Sequence, residues 1–350
     1  MINQLLKSCL LALTLALALA SCGKEPIYQT KSYVFGTLVD ITIFGENEDK
    51  ARAAASDVMQ RFQALHNQLH PWEMGSELAA LNDAFAHENQ PVPISPSLAA
   101  IITSAQQLSK QSDGLFNPAI GGLIVTWGFQ RDEFKPVKVD DVTIKQWVDA
   151  KPALSDLVIE NGQIFTKNNN VRLDMGGFAK GYALDMARQD LLQKGIKNAL
   201  VNLGGNIMAI GQHDQKPWRV GIQHPRQAGA IAVLDLPDGW AIGTSGDYQR
   251  YIELNGKRYC HIIDPRTGYP VQGVQAVTVL IPPAKNAGLL SDVTSKPIFI
   301  SEKSERLTIA KKMGVENVML IDEKGQVFAT PAMQKHIQML DNHAQLATLQ

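Results

Sequence analysis

The chain has 350 residues, 45% of them apolar, and its 33 basic and 34 acidic side chains leave a net charge of −1. That length and composition can build a sizeable buried core. The near-neutral balance offers no basic face for nucleic acid, which excludes that class of partner.

The first 21 residues stand apart: Lys7, an apolar run from Leu10 to Ala20, then Leu19-Ala20-Ser21-Cys22. The run is too short and too briefly flanked for a membrane span and reads as an export signal. Its ending resembles the bacterial lipobox, which implies cleavage before Cys22 and acylation of that cysteine; an ordinary signal peptide with a chance cysteine is the plainer alternative. Residues 22–30 are then a tether. With Cys9 lost and Cys22 acylated, Cys260 has no intramolecular partner, so cohesion has to come from packing.

Tyr33 to Phe44 alternates as a strand, interrupted by Gly36-Thr37. Helical periodicity runs from Asn47 to Leu69 through Ala54, Val58, Phe62 and Leu65, and Pro71 stops it. A turn around Trp72 feeds a short helix ending near Asn82. Pro91 to Pro96 is a breaker, Ser97–Ser109 an amphipathic helix, and Ser112–Pro118 a loop dense in turn formers. Residues 131–152 read as a charged surface excursion around one helix, Val142–Val148, and Asn161-Gly162 marks a hairpin over Leu157–Phe165. Strands then dominate: Asn198–Leu203, Ile207–Ile210, Trp218–Ile222, Ile231–Leu236, Trp240–Gly243, Tyr251–Leu254, Arg258–Ile263 and Ala276–Ile281. A late helix over Glu302–Met313 precedes a polar tail. Strands and helices without regular alternation favour an α+β fold, a strand-rich core with packed helices, over a doubly wound sheet.

The stretch from Leu173 to Gly181 is the hinge of the chain. Val171-Arg172-Leu173 reads as a short strand, Asp174 as a cap, and apolar groups at 178, 182, 183, 186, 187 and 191 as a helix starting at Gly176-Gly177 and closed by Gly195. Two glycines before a helix leave backbone N–H groups uncovered, and Lys180 adds a charge in the first turn, the parts of an anion site. The spacing is neither a P-loop nor G-x-G-x-x-G. A capped turn and a phosphate site both fit it.

Four further segments carry polar groups. Asn202-Leu203-Gly204-Gly205-Asn206 allows close approach of a backbone or a ligand between two strands. Thr244-Ser245-Gly246-Asp247-Tyr248 can line a polar pocket but lacks the G-x-S-x-G frame of a serine nucleophile. His261 is placed within a strand, ahead of the Asp264-Pro265-Arg266-Thr267-Gly268 turn, as a candidate base or ligand. Ser291-Asp292-Val293-Thr294-Ser295 groups a carboxylate with hydroxyls, a set suited to Mg²⁺ and equally to a capped helix start.

Together these segments resemble the ApbE family, the FAD:protein FMN transferases. The resemblance runs from about Tyr33 to Leu320. It rests on Asp-x-Gly-Gly-x-Ala-Lys-Gly-Tyr at 174–182, Asn-Leu-Gly-Gly-Asn at 202–206, Thr-Ser-Gly-Asp-Tyr at 244–248 and His-Ile-Ile-Asp-Pro-x-Thr-Gly at 261–268, in the family's order. It implies a T-fold-like architecture with the active site in a central cleft, one domain over 31–335 and a tail over 336–350. It also implies transfer of the FMN part of FAD to a threonine or serine hydroxyl of a partner, such as an electron-transport complex subunit, with release of AMP and a need for Mg²⁺. A lipid-anchored, periplasm-facing place in the cell envelope suits that activity.

Carried over by position, Asp174 and Lys180 would hold FAD, Lys180 also acting on the phosphates, and His261 would be the base or substrate-orienting group. Phe35, Trp72, Leu115, Phe116, Asn117, Ser245 and Ile262 would line the cofactor site. Asp292, the carbonyls of Gly177 and Leu289, and Ser295 would be metal ligands. Two departures stand out: Lys296 replaces the threonine of the family's Asp-x-x-x-Thr, and Phe116-Asn117-Pro118-Ala119 replaces Phe-Asp-x-Thr. Pro297 is expected to disrupt a regular helix there. An FAD pyrophosphatase and a non-catalytic FAD-binding lipoprotein are the rival readings.

Overall fold

The computed structural model describes residues 25–87, 90–131, 137, 139–341 and 345–349. The export signal and Cys22 lie outside these residues.

The strands before the hinge are β1 (Ile27–Val34), β2 (Thr37–Phe44), β3 (Val92–Pro93), β4 (Leu157–Glu160) and β5 (Gln163–Thr166). After it come β6 (Ala199–Leu203), β7 (Asn206–Ile210), β8 (Trp218–Gln223), β9 (Ala230–Leu236), β10 (Ala241–Gly246), β11 (Tyr251–Leu254) and β12 (Lys257–Cys260). The last are β13 (Val274–Ile281), β14 (Asn317–Asp322), β15 (Val327–Ala329), β16 (Ile337–Met339) and β17 (Leu346–Thr348). The helices are α1 (Glu48–Leu69), α2 (Glu77–His87), α3 (Pro96–Gln111), α4 (Gly121–Thr126), α5 (Asp141–Ala150), α6 (Ala179–Gln193), α7 (Ala287–Val293), α8 (Ser295–Ile300), α9 (Arg306–Lys312) and α10 (Pro331–Gln334).

A nine-stranded sheet, β1-β2-β6-β7-β10-β13-β14-β15-β17, carries the fold. All its pairings are antiparallel except β15 with β17. Alternate residues go to opposite faces, as the pleat demands. Val39, Ile41, Val201, Met208, Val277, Val279 and Val318 face the main core, built with α1, α2, α3, α6, α7 and α8. Ile207, Ala209, Ile242, Leu280, Met319 and Ile321 face a second core closed by β8, β9 and β16. β7 and β13 are buried along their whole length, polar Asn206, Gln275 and Thr278 included, because both of their faces are covered.

Local signals work where they are local. Asn47 accepts from the N–H groups of Asp49 and Lys50 to start α1, and Ser95 caps α3 with Pro96 at its first position. Asn161 and Gly162 both take positive φ, the conformation a two-residue hairpin turn needs between β4 and β5.

Four expectations are corrected. The segment expected as a tether over 22–30 enters the sheet at Ile27, where β1 pairs with β2 along its length, so the domain starts before residue 31. The expected tail over 336–350 is also part of the fold: β16 pairs with β9 and β17 with β15. Val171–Leu173 forms no strand but a single bridge, Arg172 to Ile120. His261 follows β12 rather than lying in a strand, because the β11–β12 ribbon ends at the Tyr251–Cys260 pair. As expected at Pro297, the helical segment is broken, at Thr294 between α7 and α8.

Candidate active site

The loop before α6 is held from two sides. Buried Asn82 acts as a backbone surrogate, its amide donating to the Leu173 carbonyl at 2.9 Å and its oxygen accepting the Leu173 N–H at 2.6 Å. From the other side Arg172 N–H donates to Ala119 and Asp174 N–H to Pro118. The expected cap role of Asp174 is corrected: its oxygen accepts the Gly176 N–H at 2.8 Å, two residues on, and the residue preceding α6 is Phe178, with no side-chain cap.

The missing cap is supplied by another helix. Asp292 on α7 accepts the Gly181 N–H of α6 at 3.0 Å, and Asp185 on α6 accepts the Gly288 and Leu289 N–H groups at the start of α7, both at 2.8 Å. Each helix therefore caps the other through a carboxylate. Such contact needs backbones close together, and glycines permit it: a Cβ on Gly181 would stand 2.5 Å from the Gly288 carbonyl oxygen, and one on Gly288 would stand 2.7 Å from the Gly181 oxygen. Neither Asp185 nor Gly288 is among the residues expected from the sequence, and Asn286, which directly precedes α7, makes no cap bond.

Around Asp292 the charges converge. Its side chain is 2% exposed; Oδ1 meets the Lys296 ammonium at 2.7 Å and the Lys180 ammonium at 3.5 Å, while Oδ2 holds Gly181. Burial works against the Asp292 charge, but Lys180 and Lys296 outweigh it and hold the carboxyl down at about 2. Burial pulls Lys296 below its ordinary value, with the Asp292 charge opposing. Lys296 also donates to the Asp292 carbonyl at 2.6 Å. Lys180, at the start of α6, reaches back to the Gly176 carbonyl at 3.3 Å.

Mg²⁺ asks for an octahedron of hard oxygens. Here both Asp292 oxygens and its carbonyl are already taken by N–H donors. The Lys296 stem passes in front of Gly177, with Cε 3.0 Å from where a Gly177 Cβ would stand. The Ser295 hydroxyl bonds the Asp292 carbonyl at 3.0 Å and Ser245 at 2.7 Å, and the Leu289 carbonyl belongs to a helix. Among the described residues no cluster of three His, Cys, Asp or Glu side chains could hold a metal ion. The expected ligand set of Gly177, Leu289, Asp292 and Ser295 is brought together, but its residues do not fit a dication.

His261 shares this neighbourhood, since the Lys180 and Lys296 charges both bear on it. Its Nδ1 lies 3.1 Å from the Arg250 carbonyl, which can only accept, so Nδ1 carries the proton and Nε2 keeps its lone pair. Burial first, then the Arg250 charge, pushes the imidazole down to about 3, which keeps it neutral. Adjacent Cys260 is buried and its thiol is pushed up to about 12 by that burial, so it is no nucleophile.

The remaining predicted residues divide. Phe116 borders Gly177, its ring 3.7 Å from a Gly177 Cβ position. Phe35 holds a positive φ of 56° in the β1–β2 turn and packs on Phe62 and His66. His66 meets His70, whose ring accepts the backbone N–H of half-buried Trp72, so Phe35, Phe62, His66 and His70 form a run of ring contacts at α1. Asn117 turns inward instead: its amide donates to Pro152 and its oxygen accepts Ala119 N–H, which shapes the loop. Ser245 pins α8 to β10 through Ser295, and the side chains of Ile262 and Leu115 lie in the main core. Cavities of about 480 and 520 Å³ open along α1, and neither is lined by Lys180, Asp292 or Lys296.

The model of the ApbE family matches residues 35–319. The chain belongs to this family. Of curated ApbE relatives, an FAD:protein FMN transferase of Rhodobacter capsulatus is 37% identical over 88% of this chain, which spans 58% of that protein's length. One from Klebsiella pneumoniae is 31% identical, with 84% of each chain covered. Among solved structures, the ApbE protein of Thermotoga maritima superposes with a TM-score of 0.80 at 26% identity, over 89% of this chain and 99% of the other. The apo flavinyl transferase ApbE of Pseudomonas stutzeri does so at 0.76 and 25%, over 90% and 98%. The α+β fold is that of the ApbE structures.

Proposed function

We infer that this chain transfers the FMN part of FAD to a hydroxyl of a protein acceptor and releases AMP. One observation carries the reading: two ammonium groups share one buried carboxylate, and both bear on a neutral histidine whose Nε2 keeps its lone pair. Two cations on one anion leave a surplus positive charge, and a partly buried surplus is stabilised by a further anion. A diphosphate supplies it.

The acceptor, a threonine or serine hydroxyl, attacks the flavin-side phosphorus. An O–P bond forms, the bond to the bridging oxygen breaks, AMP leaves with that oxygen, and His261 Nε2 takes the hydroxyl proton. A base at about 3 is weak without an anion beside it. The negative diphosphate raises its proton affinity at the moment it is used. The two lysines stabilise charge on the phosphate oxygens. Incubation with FAD and an electron-transport subunit fragment should add the mass of FMN to the fragment and release AMP. AMP released with no gain on the fragment would favour the pyrophosphatase reading, and neither product would favour simple FAD binding.

The lipobox-like ending at Cys22 supports a membrane-tethered, periplasm-facing protein in the cell envelope. Cys22→Ser should move the protein from the membrane to the soluble periplasmic fraction. Persistent membrane association would contradict the anchor.

A further inference from the structure

We propose that Lys296 is the resident cation of this active site: its ammonium takes the seat between Asp292 and Gly177 and faces the diphosphate there, so FAD is bound without a divalent metal. The proposal rests on the flavin-transfer reading for the identity of the anion, but not for the occupancy of the seat.

Three observations meet at the same place. Lys296 lies one helical turn after Asp292, so its side chain folds back to make two bonds, 2.7 Å to Oδ1 and 2.6 Å to the Asp292 carbonyl. Its stem runs against Gly177, where a side chain would meet Cε at 3.0 Å, so the glycine leaves room for this lysine. The neighbouring hydroxyls look away: Thr294 donates to the Leu290 carbonyl at 2.7 Å and Ser295 to the Asp292 carbonyl. A dication entering this seat would meet the Lys296 and Lys180 ammonium groups within a few ångströms, and that repulsion opposes it. Carboxylate and ammonium charges together leave one positive charge, which is what the anion sees.

Two measurements on the intact purified protein test this. Mn²⁺ is titrated into FAD-free protein and followed by electron paramagnetic resonance, and FAD binding is followed by flavin fluorescence in EDTA and in Mg²⁺. The wild type should show no Mn²⁺ site below millimolar concentration, and its FAD affinity should change less than about twofold between EDTA and Mg²⁺. In Lys296→Thr a Mn²⁺ site should appear, and FAD affinity in EDTA should drop about tenfold and recover with Mg²⁺. A micromolar Mn²⁺ site in the wild type, loss of its FAD binding in EDTA with recovery in Mg²⁺, or a folded Lys296→Thr that gains no Mn²⁺ site would each overturn the proposal. The wild-type arms decide the matter if the variant does not fold. FAD failing to bind under any condition would sink the flavin-transfer reading, while the Mn²⁺ titrations would still decide the role of Lys296.

Discussion

At the scale of single residues, the chemistry turns on His261 being neutral. Its Nδ1 proton is fixed on the Arg250 carbonyl, and burial with the Arg250 charge holds the ring at about 3. The acid limb of kcat/KM, which reports the free enzyme, should therefore be absent near pH 6.5, where an ordinary histidine titrates, and activity should hold down to about pH 5. The limb of kcat should lie higher, because the bound diphosphate raises the imidazole. Replacing His261 by Ala should lower kcat by about 10²–10⁴ and leave FAD affinity within about threefold, since the ring moves a proton and anchors no phosphate. A kcat/KM limb at pH 6–7 that vanishes in the variant would show a histidine outside the buried state described here. Lys180 and Asp292 were legible as polar residues in motifs. Their meeting at one site was implied by the family resemblance, and the 3.5 Å ion pair bears it out; what the sequence did not show is the packing of α6 on α7 that joins two residues so far apart in the chain.

At the scale of elements, the α6–α7 crossing sets the site, and Asp185 is its less visible half. Its carboxylate accepts two N–H groups of α7, yet burial dominates and lifts it to about 7. A carboxyl raised above its unfolded value keeps its proton in the fold after the unfolded chain has lost it. The stability it contributes is complete below about pH 4 and is lost as pH rises through about 7. The difference in unfolding free energy between wild type and Asp185→Asn should therefore narrow from pH 4.5 to 7.5, by up to about 1.4 kcal/mol per unit, as read by denaturant titration. A gap that widens over that range would mean that the carboxylate form is the one the fold prefers. The helix α6 was legible from its periodicity, but its start was not: Gly176-Gly177 form the turn before it, and the helix begins at Ala179. The reciprocal capping was hidden, because a trans cap leaves no mark at the helix it serves: Asn286 offers a cap residue that goes unused, and Asp185 reads as one more polar position on a helix. The same physics hid the strand ends of the chain, since β15, β16 and β17 are only three residues long and take their order from pairing, not from pattern.

At the scale of the molecule, the sheet that backs the site is closed at its far edge by the chain's last residues. β17 pairs in parallel with β15, Leu349 N–H donates to the Ala329 carbonyl at 2.9 Å, and the Leu349 side chain is 5% exposed in the main core. A polar-looking end thus supplies both an edge strand and a core plug, which composition alone concealed. Removing everything after Asp341 should uncover Val327–Ala329 as an open edge and empty the Leu349 site. Loss of one buried leucine costs about 2–5 kcal/mol, a large part of a domain's margin, so the midpoint of denaturant unfolding should fall clearly. The exposed edge should also raise aggregation on heating. The contacts of the Lys180–Asp292–Lys296 cluster are to Gly176, Gly177, Gly181 and Ser295, none of them on β15 or β17. FAD affinity of the truncated protein, measured well below its unfolding transition, should therefore stay within about threefold of the full chain. A truncated protein as stable as the full chain would show the C-terminal strand to be an ornament of the sheet; a loss of FAD affinity without loss of stability would tie this edge to the site by a route the packing does not contain.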